Sequence, residues 1–178
     1  WLTPDELTIY FSAVRPDSLP AGLQDIYTAS RTSIFDTFGL PTKFLPGSTP
    51  TGGEGKLAMT GDGLQIFVAS DQTGSGTKGA TDIWFSQKGA AGFAALGQMH
   101  MGAINDAGDQ QDPFVSPDGL ALYFAPSNNG APQQIYVAQR PTEAGNFSAP
   151  VELTELADSG GTGTADPTVS ADQRIILF

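Results

Sequence analysis

Carboxylates are the residues of this sequence with the greatest potential for chemistry, and several fall in glycine-rich stretches. Asp71 precedes Gln-Thr-Gly-Ser-Gly-Thr-Lys-Gly, while Asp106 and Asp109 lie in Asp-Ala-Gly-Asp-Gln-Gln-Asp. Calcium binds several oxygens from flexible loops, so Asp71, Asp106 and Asp109 are candidate calcium ligands. Because neither stretch has the twelve-residue spacing that ends in a bidentate Glu, we expect solvated loops here and no cofactor, with calcium as the alternative.

Two other aspartates could act as a general acid and a general base. Asp112 and Asp166 directly precede Pro113 and Pro167, and paired carboxylates can hydrolyse glycosidic bonds. The single histidine, His100, is not accompanied by a nucleophile-elbow motif. The chain has no cysteine, which excludes thiol catalysis and cysteine-based zinc sites. We therefore assign no catalytic residue from the sequence.

The charge balance excludes several classes of partner. Eight Lys and Arg residues against 19 Asp and Glu give a formal net charge of −11, and such a surface repels phosphate backbones. No apolar run approaches the ~18 residues that a membrane span needs. We predict neither nucleic-acid binding nor membrane insertion.

The acidic residues also mark an internal repeat. A phrase close to Ser/Thr-Pro-Asp-Gly, followed by an apolar and aromatic run, occurs at residues 2–11, 59–68, 115–124 and 169–178. Its aspartates, Asp5, Asp62, Asp118 and Asp172, are spaced by 57, 56 and 54 residues. In such a turn Asp accepts hydrogen bonds from nearby amides, and Gly adopts a positive φ. We predict that these four aspartates stabilise turns, because equivalent positions in separate repeats lie too far apart to share a cation.

Each repeat is predicted to form four short strands. The run after the turn is β-branched and aromatic, which is typical of a buried strand. A second landmark, Ile-Tyr or Ile-Trp, recurs at residues 26–27, 83–84 and 135–136, and no helical period is evident. Four-stranded sheets repeated radially are the blades of a β-propeller. We therefore predict an all-β fold of four-stranded antiparallel propeller blades.

These phrases resemble the TolB-like, WD-type β-propeller repeat family of bacteria. The match is nearly complete at residues 112–124 and at 135–140, and the sequence departs from the pattern at Lys56, Gln134 and Leu96. Because proteins with such repeats are mostly exported, the resemblance implies a periplasmic, cell-surface or secreted location.

The phase of the repeat indicates how the chain is organised. Residues 1–178 read as one propeller segment with units at about 2–58, 59–114 and 115–168 and a partial unit at 169–178. This makes three complete repeats plus one hairpin of the first two strands. Since propellers close with roughly four to eight blades, we expect the segment to belong to a larger propeller. The remaining blades would come from the same protein or from a second copy.

Antiparallel alternation should place the long, dissimilar loops on one face and the repeated turns on the other. Irregular loops on a rigid scaffold are where binding residues concentrate. The residues predicted to bind a ligand on this acidic loop face are Arg15, Asp17, Asp71, Asp106, Asp109 and Asp158.

Three functions are compatible with these features. The favoured one is a non-catalytic binding or scaffold module of an exported bacterial protein that presents the acidic loop face to a protein or glycan partner. The alternative is a propeller-type glycan hydrolase or lyase with Asp112 and Asp166 near the central channel. The third is a piece of a multi-protein envelope assembly without a ligand of its own.

Overall fold

Antiparallel sheets make up the described part of this chain. The structure is a computed structural model that describes residues 1–18, 20–127, 131–157 and 163–178. Among these residues, helical conformation occurs only in two three-residue 3-10 helices, Leu45–Gly47 and Thr154–Leu156. No described helix has the length and apolarity needed to cross a membrane. The prediction of an all-β, antiparallel protein is confirmed.

Four sheets follow one another along the chain, and within each sheet hydrogen-bonded neighbours are consecutive in sequence. Sheet 1 consists of β1 (Thr8–Ala13), β2 (Asp25–Ser30) and β3 (Thr42–Lys43); sheet 2 of β4 (Glu54–Met59), β5 (Gln65–Ser70), β6 (Asp82–Gly89) and β7 (Gly92–Phe93); sheet 3 of β8 (Asp109–Val115), β9 (Ala121–Ser127), β10 (Tyr136–Gln139) and β11 (Val151–Glu152); and sheet 4 of β12 (Thr168–Val169) and β13 (Ile176–Leu177). An isolated bridge between Leu2 and Ile9 adds a further pairing to β1.

The repeated turn joins the first two strands of sheets 2, 3 and 4. Asp62 lies between β4 and β5, Asp118 between β8 and β9, and Asp172 between β12 and β13. A repeat unit counted from the turn therefore begins after the first strand of its sheet. The first strand of each of these sheets therefore belongs to the preceding unit, so that successive repeat units share a sheet.

The four turns share one hydrogen-bond pattern. In each turn the Asp carboxylate accepts a hydrogen bond from the Ser or Thr hydroxyl two residues earlier and from the backbone N–H two residues later. A positive φ occurs one residue after the Asp, at Gly63 and Gly119 as expected and also at Glu6 and Gln173. The pattern is local, since its donors lie within two residues of the acceptor.

The core lies between successive sheets. Ile26, Leu57, Ile66 and Val68 are buried between sheets 1 and 2, where Tyr10 packs against them. A second cluster between sheets 2 and 3 contains four buried aromatic residues: Phe67, Phe85, Phe124 and Phe147. Burying a side chain of this size stabilises the fold by roughly 1.5–3 kcal/mol, so the contacts between sheets carry much of the stability.

Arg140 joins sheet 3 to sheet 2. Its Nε donates to the Gly119 carbonyl oxygen at 2.7 Å, and its Nη2 donates to Gln65 Oε1 of sheet 2. The guanidinium also lies over the Phe147 ring, 4.5 Å from the centroid. Arg31 of sheet 1 has the same local arrangement, donating to the Glu6 carbonyl oxygen at 2.9 Å and lying 4.6 Å from the Phe38 centroid.

Candidate functional site

A cleft of about 450 Å³ opens where residues of sheets 1, 2 and 3 meet. The loop between β1 and β2 contributes Val14 and Leu23, and the segment between β5 and β6 contributes Asp71. Strands β4 and β8, each the first strand of its sheet, contribute Lys56 and Asp112. We take this cleft as the candidate functional site, because residues from three sheets line it and three of them, Lys56, Asp71 and Asp112, are charged.

Irregularities in β4 and β8 position the charged residues of the cleft. The pairing of β4 with β5 shifts register between Glu54 and Lys56, and that of β8 with β9 shifts between Gln111 and Phe114. Such bulges redirect side chains and are frequent next to binding sites. Asp112 has a φ of 53° and Asp166 a φ of 56°, which costs a non-glycine residue roughly 1–3 kcal/mol. Both aspartates therefore lie in the left-handed region of backbone conformation.

Lys56, Asp112 and Asp166 form one charged cluster at the cleft. Lys56 Nζ donates to Asp166 Oδ1 at 2.7 Å. Burial raises the pKa of Asp112, and the nearby Asp166 carboxylate raises it further; Lys56 and a hydrogen bond from the Asp166 backbone oppose the shift. The structure therefore brings together the two aspartates proposed from the sequence as acid and base, and adds a lysine to them.

Sequence reasoning missed Lys56 as a site residue. In the sequence it stands out only as a departure from the repeat, because it occupies the position that aspartate holds at Asp112 and Asp166. That departure is the signal in the sequence that could identify Lys56. Aspartate occupies the other two equivalent positions, and a lysine at the third can form an ion pair with an aspartate where the strands approach each other.

The predicted loop residues are mostly engaged by other groups of the folded chain. The Arg15 guanidinium lies 5.2 Å from the Tyr27 ring centroid, and Asp17 accepts a hydrogen bond from the Tyr27 hydroxyl at 2.9 Å. Asp71 accepts one from the Gly53 N–H at 2.5 Å while also lining the cleft. Of the predicted ligand-binding residues, Asp71 alone is placed in the cleft, and Asp158 lies outside the described residues.

The remaining calcium candidates also accept hydrogen bonds from the protein. Asp106 accepts from the Gly108 N–H at 2.8 Å and from Gln110 Nε2 at 2.7 Å. Asp109 accepts from the N–H groups of Ala80 and Thr81. Within the described part of the chain, no three His, Cys, Asp or Glu side chains are grouped so as to hold a metal ion.

Glu54 is a fully buried carboxyl group beside the cleft lining. Its Oε1 accepts hydrogen bonds from the hydroxyls of Thr49 at 2.8 Å and Ser70 at 3.1 Å. Its Oε2 has no hydrogen-bond partner among the described residues. Burial raises the pKa of Glu54 to about 7, and the charge of Asp25 adds to the shift. This carboxyl group therefore changes its charge near neutral pH.

Among the described residues, no carboxylate bonds to the His100 side chain in a triad-like arrangement. Its ring packs edge-on against Phe85 with the centroids 5.2 Å apart, and its carbonyl oxygen accepts a hydrogen bond from the Phe147 N–H. His100 therefore contributes to the packing between sheets 2 and 3.

The sequence matches no family model and no curated protein. The function must be inferred from the cleft and from the repeat.

Proposed function

We propose that this chain is a segment of a TolB-like β-propeller and that it serves as a non-catalytic binding module of an exported bacterial protein. Three successive antiparallel meanders and a turn with one recurrent hydrogen-bond pattern support the propeller arrangement. The resemblance of the repeat phrases supports a periplasmic, cell-surface or secreted location. Closure of the ring would need further blades.

The residues that line the cleft support a proposal for the kind of partner that it binds. Asp71 and Asp112 supply negative charge, and the Lys56 ammonium is paired with Asp166. Val14 and Leu23 expose apolar surface at the edge of the cleft. None of the described residues that line it is aromatic, so a sugar ring would find no side chain on which to stack. The partner that fits best is a protein segment with basic and apolar side chains, which the net charge of −11 would also attract.

A peptide array and a glycan array test this proposal. Peptides that combine Lys or Arg with apolar residues should bind, and their affinity should fall as salt is added because the attraction is electrostatic. Asp112→Asn should weaken binding several-fold. Glu155→Gln is the matched control, since Glu155 is an exposed carboxylate outside the cleft.

Either of two outcomes would reject the binding proposal. One is the absence of bound peptides and glycans on both arrays. The other is binding that Asp112→Asn and Val14→Asp leave unchanged in affinity. Binding of glycans alone would keep the module but replace the protein partner by a carbohydrate.

The charged cluster favours a second candidate function, a glycan hydrolase or lyase. A general acid must hold a proton near the working pH, and burial raises the pKa of Asp112 in that direction. Asp166 would be the second carboxylate, oriented by its ion pair with Lys56. The strained backbone of both aspartates is also a frequent feature of active sites.

Turnover distinguishes the two functions. Wild-type protein and Asp112→Asn are incubated with a panel of neutral and acidic polysaccharides, and reducing ends and unsaturated products are measured. Cleavage by the wild type that Asp112→Asn abolishes would establish the enzyme. Binding without cleavage would support the non-catalytic module.

A further inference from the structure

A second cavity, of about 170 Å³, lies between sheet 3 and the loop that leads from sheet 2 into it. The loop contributes Ile104 and Asp106, while β9 contributes Phe124 and β10 contributes Tyr136. All residues that line this cavity lie between positions 103 and 150, well inside the chain. Its volume is below the roughly 300–1,000 Å³ of pockets for drug-sized ligands, so it suits a group no larger than one amino-acid side chain.

This cavity is separate from the charged cleft. Gln110 lines the cavity and Gln111 lines the cleft, and both belong to β8. Because consecutive residues of a strand point to opposite faces, the two depressions lie on different sides of β8.

Two neighbouring aromatic side chains form one side of the cavity. Phe124 and Tyr136 are directly paired across β9 and β10, and their ring centroids are 6.2 Å apart with an interplanar angle of 31°. Aromatic rings attract cations that lie over a ring face within about 6 Å of its centroid. The aromatic side of the cavity therefore favours a positively charged group.

Two carboxylates add negative charge beside these rings. The Tyr136 hydroxyl donates to Glu152 Oε2 at 3.2 Å, and Asp106 lines the cavity itself. Burial raises the pKa of Tyr136, and the charges of Glu152 and Asp106 raise it further, so both carboxylates act on the same aromatic residue. The hydrogen bonds that Asp106 accepts from Gly108 and Gln110 go to its Oδ1, and its Oδ2 can accept from a ligand.

The described chain supplies no cation to these carboxylates. No Lys or Arg among the described residues lines the cavity or forms an ion pair with Asp106 or Glu152. Lys78, whose Nζ approaches the same loop, donates to the carbonyl oxygen of Asn105. The cavity thus combines aromatic rings and carboxylates without a cation of its own in the described part of the protein.

Sheet 1 contains the same arrangement together with a cation. Phe11 and Tyr27 are directly paired across β1 and β2, with centroids 6.2 Å apart and an interplanar angle of 29°. The Tyr27 hydroxyl donates to a carboxylate, that of Asp17, at 2.9 Å. Here the Arg15 guanidinium lies 5.2 Å from the Tyr27 centroid and 4.0 Å from the Asp17 carboxylate. The repeat at sheet 1 therefore fills this arrangement with its own arginine.

We propose that the cavity beside Tyr136 binds an organic cation of the size of a lysine or arginine side chain, in the role that Arg15 has beside Tyr27. The loop of sheet 3 that corresponds to the Arg15 loop, residues 128–135, contains no charged residue in its sequence. The cation must therefore come from a ligand. This proposal does not depend on what the charged cleft binds.

Isothermal titration calorimetry with N-acetyl-arginine amide tests the site. The wild type should bind it with a Kd on the order of 1 mM, as expected for one small group. The neutral isostere N-acetyl-citrulline amide should bind roughly fivefold more weakly or not at all, because it lacks the charge. Asp106→Asn combined with Glu152→Gln should weaken binding of the arginine amide by a similar factor. Glu155→Gln is the matched control, since Glu155 is an exposed carboxylate outside the cavity lining.

A second cation distinguishes the source of the charged group. Butylguanidinium has the head group of arginine without a peptide backbone. Tighter binding of the arginine amide would identify a protein side chain as the ligand, and tighter binding of butylguanidinium would identify a free small molecule. Either result supports a cation site in this cavity.

Two further variants show whether the cation binds in this cavity and not in the cleft. Tyr136→Leu should weaken binding of the arginine amide, whereas Asp112→Asn, in the cleft, should leave its affinity unchanged. Circular dichroism of each variant confirms that it is folded. Three outcomes would overturn the proposal: no binding of either cation, equal affinity for arginine and citrulline amides, or binding that Asp112→Asn abolishes and the Asp106 and Glu152 substitutions leave unchanged.

Discussion

Glu54 is a residue whose ionisation depends strongly on the fold. It is fully buried between Thr49 and Ser70, and its pKa is raised to about 7 from an ordinary value of 4.5. Between these two values the folded protein binds a proton that the unfolded chain has lost. The contribution of Glu54 to the stability of the protein is therefore fully present below pH 4.5 and is lost as the pH rises through 7.

Replacing Glu54 by Gln should remove this pH dependence. Glutamine resembles the protonated acid in shape and carries no charge, so Glu54→Gln should be more stable than the wild type above pH 7 and similar to it below pH 4.5. The shift corresponds to roughly 3 kcal/mol at most. Urea denaturation of both proteins at the two pH extremes measures the difference. Equal stability of the two proteins above pH 7 would contradict the assignment.

At the scale of elements, the four turns combine one hydrogen-bond pattern with different residues at the position of positive φ. Gly63 and Gly119 adopt this conformation without strain, whereas Glu6 and Gln173 carry a Cβ there. The hydrogen bonds to the carboxylate lower the pKa of Asp5, Asp118 and Asp172. What they contribute to stability is present above the ordinary pKa of 3.8 and is lost as the pH falls below it.

Exchanging residues at the positive-φ position should change stability in opposite directions. Glu6→Gly should stabilise the protein by roughly 0.5–1 kcal/mol, because it removes left-handed strain from the first turn. Gly119→Ala should destabilise it by roughly 1–2 kcal/mol, since its Cβ would lie 3.1 Å from Thr60 and 3.2 Å from Arg140. Thermal and urea unfolding measure both changes. A loss of stability in Glu6→Gly would show that the turn tolerates Glu without strain.

At the scale of the whole molecule, the contacts between sheets determine how much each of two equivalent residues contributes to stability. Arg140 and Arg31 make the same bond to a turn carbonyl and lie over the same kind of ring. Arg140 alone of the two also reaches across to Gln65 of the neighbouring sheet, where it is buried. We therefore expect the same local arrangement to contribute more to the stability of the protein at Arg140 than at Arg31.

Alanine substitutions at the two arginines should reveal this inequality. Arg140→Ala should cost roughly 2–4 kcal/mol, because it breaks charge-assisted hydrogen bonds and leaves Gln65 buried without its donor. Arg31→Ala should cost roughly 1 kcal/mol or less, as expected for a more exposed group. Urea denaturation of each variant measures both losses. Equal losses would indicate that Arg140 stabilises only its own sheet.

The repeat, the turns and the antiparallel strands could be predicted without coordinates, because the interactions that form them are local. The Asp118 carboxylate bonds to groups two residues away on either side. The run after the turn is apolar and aromatic, as is typical of a buried strand. Neighbouring strands of each sheet are also consecutive, so their pairing follows from their order in the chain.

The charged cluster and the buried acid could not be predicted in the same way, because they depend on how separate sheets approach each other. Lys56 meets Asp166 across 110 residues, and Arg140 meets Gln65 across 75. Glu54 is likewise buried only because the folded chain packs around it. Residue types and spacing define the sheets. Charge pairing and pKa values depend instead on the distances between sheets and on the removal of side chains from water, and both arise only once the chain has folded.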